Sequence, residues 1–241
     1  MLEAAFWGFV GGGALLLGAA AGIFLPMPRR LIGLIMAFGA GVLISALSFE
    51  LMEQAYDLAG GRAALLGLLA GALTFFAGDW LIDRRGGHRR KSPTGPQAGA
   101  ASSALVLGAL LDGIPESAAI GVSLIGGGSV GVTVVAAVFL SNIPESLSAS
   151  AGMRSAGHTT RSILGLWLAV AGASTVAAAL GFAVLSGSDP AWVATIQAFA
   201  AGAILTMLVD TMVPEAVEHA GPQVGLLTVL GFSAAFLLSI A

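Results

Sequence analysis

Asp112-Gly113-Ile114-Pro115-Glu116-Ser117 and Ser141-Asn142-Ile143-Pro144-Glu145-Ser146 are the stretches that decide how this chain is read. They share Ile-Pro-Glu-Ser, and each lies in the middle of an otherwise apolar run. A proline inside a helix has no N–H to donate, and its ring displaces the carbonyl four residues before it. Pro115 is therefore expected to free the carbonyl of Leu111, and Pro144 that of Leu140. Asp112 stands four residues before Glu116, and Ser141 and Asn142 stand four and three before Glu145. Side chains at those separations share a helix face. If the two helices pack against each other, Asp112, Glu116, Ser141, Asn142, Glu145 and two carbonyls meet in one place.

The surroundings of the two stretches are apolar throughout. Of 241 residues, 57% are hydrophobic and 10% charged, against about 45–50% and about 25% in a soluble domain. This argues strongly against a soluble fold, since so few charges cannot clothe a globular surface. A helix crosses the hydrocarbon core with about 20 apolar residues. Punctuation by Pro, Gly and charge places eight such helices, at roughly 4–25, 31–53, 62–83, 101–124, 129–152, 162–186, 190–216 and 222–241. No segment alternates as a membrane strand does. The expected fold is an all-α polytopic membrane protein, one transmembrane transporter domain over 1–241. Met1-Leu2-Glu3 lacks a basic n-region and no A-x-A-like cleavage site precedes a soluble part, so 4–25 reads as a true span. Cysteine is absent, which excludes disulfides, thiolate metal sites and cysteine nucleophiles.

The basic residues give the orientation. Arg29 and Arg30 fall between spans one and two, Arg84, Arg85, Arg89, Arg90 and Lys91 between three and four, and Arg154 and Arg161 between five and six. Those loops share one face, and only Arg62 is opposite. The positive-inside rule assigns that face to the cytoplasm, with both termini outside. The loop at 84–100 reads as a basic cytoplasmic linker, and the setting as a prokaryotic plasma membrane.

Spans two and seven resemble each other at an offset of 161. Ala37, Phe38, Gly41, Leu47, Ala55, Ala59 and Gly60 match Ala198, Phe199, Gly202, Leu208, Ala216, Ala220 and Gly221. The same offset lays span one on six and three on eight. Paired spans are five apart and so cross in opposite directions, which is the pattern of an inverted repeat in secondary transporters. Spans four and five remain in the centre and carry the Ile-Pro-Glu-Ser pair.

Three carboxylates at membrane depth are costly, each about 2.5–3.5 kcal/mol or more at the centre of an isolated helix. Protons or a cation must offset their repulsion, and a divalent cation does so with oxygen ligands. One Pro-Glu alone reads as a kink beside a protonated or hydrogen-bonded acid. Two copies with Asp112 and Asn142 alongside read as a metal site of Asp112, Glu116, Ser141, Asn142 and Glu145. Glu50 and Glu53 near the outer end of span two, and Asp210 and Glu215 near the inner end of span seven, are candidates to line the cation's route. Asp79 and Asp83 read as interfacial. His88, His158 and His219 all read as residues of cytoplasmic loops.

On these residues the chain resembles the ZIP family of divalent metal transporters. The resemblance rests on eight helices with both termini outside, a long cytoplasmic loop between three and four, Pro-Glu motifs in four and five, and the Phe-x-Ala-Gly segments. It implies a 3+2+3 arrangement, dimers, an elevator-like movement, and import of zinc, iron or manganese. Matched by the Pro-Glu, Asp112 stands where the family's helix-four histidine is expected and Gly113 where its asparagine is. Ser141 stands at the helix-five His or Gln position. Residues 162–188 hold no Asp or Glu, so the helix-six carboxylate that completes a second metal position is lacking, and the 84–100 loop lacks the family's histidine cluster.

Zinc is the first expectation for the substrate, with iron or manganese as alternatives; divalent metal ions and the lipid bilayer are the partners, together with a homodimer. No resident cofactor, nucleic acid or enzymatic activity is expected. A metal exporter or a proton-coupled carrier of another substrate are the competing transport readings. An intramembrane hydrolase is the competing class, although the chain has no H-E-x-x-H and no G-x-S-x-G.

Overall fold

The computed structural model describes residues 1–84, 102–125 and 132–240. The expected linker at 84–100 and the Gly126–Gly128 break lie, all but Arg84, outside the described residues. Within the described residues the chain is helical and has no strand. The helices are α1 (Leu2–Phe24), α2 (Arg29–Ala46), α3 (Glu53–Ile82), α4 (Ser102–Ser123), α5 (Val132–Ser155), α6 (Thr160–Leu185), α7 (Pro190–Met207), α8 (Val213–Ala220) and α9 (Val224–Ser239). A backbone that meets no water must bond to itself, and helices do this within one segment. The helix starts follow the sequence. Thr159 caps α6 by accepting from the Ser162 N–H, and Asp189 caps α7 by accepting from the Ala191 N–H, with Pro190 opening the helix.

Six helices among the described residues are long and apolar enough to cross a membrane. Two of them run on as Arg29–Ile82, 54 residues, and Pro190–Ser239, 50 residues. At about 1.5 Å per residue either would be more than twice the thickness of the hydrocarbon core, about 30 Å. Each is interrupted. Gly60 inside α3 has φ 76° and ψ 171°, and Gly221 after α8 has φ 65° and ψ −148°. These are conformations that residues with a Cβ rarely adopt, so glycine sets the turning point in both. A π-helical turn precedes each: Leu47–Met52 between α2 and α3, and Leu208–Met212 between α7 and α8.

Helix directions follow from where glycines let backbones touch. Gly18 abuts Ile143 and Gly22 abuts Leu147, so α1 and α5 run parallel. Gly8 abuts Ala178 and Gly12 abuts Ala171, so α1 and α6 are antiparallel. Gly113 faces Val170 and Gly121 abuts Ala178, so α4 runs with α6 and therefore against α5. Close approach at small residues is the usual means of helix association in lipid.

The helices sort into two sets. α1 packs along α5 and α6, and α6 along α4; α2 packs along α9, and α3 along α7. Contacts between the sets are sparser and run chiefly through α2 with α5 and α4 with α7. In the second set the glycine contacts come in matched pairs. Gly41 of α2 abuts Thr228 and Phe232 of α9, while Gly202 of α7 abuts Leu68 and Ala72 of α3. Gly231 of α9 abuts Phe38, and Gly71 of α3 abuts Phe199.

Candidate metal centre

The two motifs fall inside α4 and α5, with Pro115 and Pro144 both within helix. All the singled-out side chains are buried in protein: Asp112, Glu116, Ser141, Asn142 and Glu145 are each exposed by 4% or less. Acids in membrane-depth helices that turned to lipid would be far costlier than acids turned inward. The two motifs are also locally alike. Ser117 Oγ donates to the Gly113 carbonyl at 2.7 Å, and Ser146 Oγ donates to the Asn142 carbonyl at 2.7 Å. In each motif the final serine thus bonds back one turn, beside the break that the proline makes in the ladder. Ser141 Oγ donates to the Val138 carbonyl at 3.0 Å.

Neighbouring helices hold the motifs in place. Asn142 Nδ2 donates to the Gly11 carbonyl of α1 at 3.0 Å. That bond commits the donor end of the amide to α1, so the oxygen is the end a cation would use. On the α4 side, a β-carbon at Gly113 would lie 3.5 Å from Ser174 Oγ and 3.6 Å from Val170 Cγ1, so α6 presents a hydroxyl, not a carboxylate, to this motif. From the other set, Gly39 of α2 comes up to the α5 motif. A β-carbon there would lie 3.1 Å from Met212 Cε, 3.4 Å from Pro144 Cγ and 3.4 Å from Ser141 Cα.

The structure does not gather all three acids. Among the described residues no group of three or more Asp, Glu or His side chains is disposed to hold one metal ion. The reason is in the packing: α4 leans on α6 and α5 on α1, and the two motif helices touch each other only lightly. All five side chains are buried, but among the described residues Asp112, Glu116 and Glu145 do not form a three-acid group around one metal position.

The flanking acids divide. Glu50 lies in the first π turn, half-buried, and accepts from Gln54 Nε2 at 3.1 Å. Gln54 Oε1 in turn accepts from Gln197 Nε2 of α7 at 3.3 Å, and Gln197 is 3% exposed. Glu53 and Asp210 are exposed, while Glu215 is buried on α8. Asp79, expected at the interface, is also buried. His219 corrects the sequence reading. It lies within α8, its side chain is 6% exposed, and Nε2 stands 3.4 Å from Glu215 Oε2. The helix restarts after the π turn with Pro214 in its first turn, and this carries His219 out of the expected loop. His158 does fall in a loop, and His88 lies outside the described residues. Ser174, Gln54 and Gln197 were not singled out from sequence; a glutamine in an apolar span is the signal that could have pointed to Gln197.

No protein-family model matches the chain. It is 27% identical over 210 residues to a protein of Arabidopsis thaliana named as a proposed zinc transporter. The match takes in 86% of this chain and 33% of the relative, so the chain spans about a third of that protein's length.

Proposed function

We propose that this chain is an integral membrane transporter of divalent metal ions, with zinc as its first substrate and iron or manganese as further ones, moved into the cytoplasm. The observation that carries the reading is the doubled Ile-Pro-Glu-Ser motif, whose acids are buried inside two apolar helices. Nothing in helix packing calls for Asp112, Glu116 and Glu145 at that depth, whereas a cation does. The similarity to a proposed zinc transporter supports the same reading. Glu116 and Glu145 are the principal ligands, with Asp112, Asn142 and Ser141 assisting. Two principal carboxylates, with Asp112 and neutral oxygens only assisting, hold the ion less tightly than a closed three-acid cage, which is not found among the described residues. Loose holding suits transport, because an ion bound too well does not leave.

The architecture proposed is eight crossings in a 3+2+3 order, with an inverted repeat around α4 and α5. Two observations support it: both long helices break at glycines 161 positions apart, each after a π turn, and the matched glycine contacts pair α2 with α9 as they pair α7 with α3. The sparse boundary between the two helix sets is the surface along which one would slide on the other. Zinc uptake into proteoliposomes, with manganese and ferrous iron as competitors, tests the function. The oxygen-rich centre predicts that both competitors slow zinc entering, since carboxylate, carbonyl and water suit harder ions. A chain that moves none of the three metals has another function.

A further inference from the structure

We propose that Glu215 and His219 form a second divalent-metal station, at the cytoplasmic end of the route; this rests on the transport reading and adds a site to it. The two side chains lie four apart on α8 and are both buried, at 7% and 6% side-chain exposure. His219 Nε2 and Glu215 Oε2 are 3.4 Å apart, and Nε2 makes no hydrogen bond among the described residues. A charged N–H···O pair closes to about 2.7–2.9 Å, so the separation is too long for one. It fits the bite of two ligands on one tetrahedral ion. Metal–nitrogen bonds of about 2.0–2.1 Å and metal–oxygen bonds of about 2.0–2.2 Å put the two atoms roughly 3.3–3.5 Å apart.

The position suits an exit. Gly33 of α2 abuts Ala216 and Ala220 of α8, and Arg30 Nη2 donates to Gln223 Oε1 at 2.8 Å, so α8 lies at the membrane end that carries Arg29 and Arg30. That is the end the basic loops assign to the cytoplasm. The station differs in kind from the rest of the route. The centre and the Glu50–Gln54–Gln197 chain offer oxygen only, whereas His219 brings imidazole, which suits zinc. Zinc moving inward would thus meet its one nitrogen ligand last, and two protein ligands completed by water leave it free to depart.

The test uses the full chain, purified without a histidine tag and carrying His88→Gln and His158→Gln, so that His219 is its sole imidazole. Zinc is loaded and counted, and its X-ray absorption spectrum is examined for imidazole scattering. The signal should be present, should persist when Glu116→Gln and Glu145→Gln are added, and should vanish with His219→Gln, which also lowers bound zinc by about one ion per chain. Glu215→Gln should weaken the same site about tenfold or more. An absent signal, or a zinc count that His219→Gln leaves unchanged, means a simple ion pair and overturns the station. A chain that transports zinc without the signal keeps the transport reading and loses the station; one that gives the signal without transport does the reverse.

Discussion

Glu116 and Glu145 bear the functional argument because a carboxylate inside a helix bundle needs a reason. Each is buried on a helix that is otherwise apolar, next to a proline that weakens the local ladder. The neighbours act on them unequally. Asn142 is pinned to α1 through Gly11, whereas Asp112 stands on α4 beside Gly113 and the hydroxyl of Ser174. A metal held by these groups competes with protons, because carboxylates bind in the deprotonated form and binding releases protons. Zinc affinity should therefore be highest near pH 8 and fall as pH is lowered toward about 5, approaching the ordinary carboxylate range. Equilibrium dialysis across that range checks it. Affinity that stays flat would place the ligands elsewhere.

At the scale of helices, the second set is held together at glycines that let backbones approach closely. Gly41 and Gly202 stand at matching places in α2 and α7, and each lets a neighbour's backbone come close. Replacing either with alanine forces the partner helix outward, a strain of about 1–3 kcal/mol. Gly41→Ala and Gly202→Ala should lower the melting temperature of the purified protein by similar amounts, while Gly13→Ala, where an added β-carbon meets nothing within 4 Å, should not. A harmless Gly41→Ala would contradict the close pairing of α2 with α9. Much at this scale could be read beforehand. Pro26 to Pro28 and Asp189-Pro190 mark real helix ends, since capping and proline act locally. Gly60 and Gly221 were also legible as breaks, although the helix resumes at once after Gly60, because a single residue with positive φ turns the chain without a loop. The π turns were not legible. They arise from one extra residue in the hydrogen-bond ladder, which leaves no mark on composition. His219 was misplaced because the helix runs on to Ala220, past the expected end at residue 216, with Gly221 as the turning point. The face of each motif helix could be read from spacing, but its neighbour could not, and so the meeting of three acids did not follow.

For the whole molecule, the architecture proposed above joins the two sets of helices and the paired breaks in one scheme of eight membrane crossings. In that proposed scheme the positive-inside rule assigns the basic loops to the cytoplasm. Gly95→Cys and Ser188→Cys, made singly in this cysteine-free chain, should label from opposite sides of sealed vesicles; labelling from one side would remove both the orientation and the inverted repeat. The central claim is that the buried glutamates of α4 and α5 carry the ion. Zinc uptake into proteoliposomes by wild type, Glu116→Gln and Glu145→Gln measures it directly. Each substitution keeps the side chain's size and removes its charge. The account predicts rapid uptake by wild type and a loss of about a hundredfold or more in either variant, with both variants inserted and monodisperse. Uptake at the wild-type rate in both variants would contradict it, and would leave the two Ile-Pro-Glu-Ser motifs as helix kinks and nothing more.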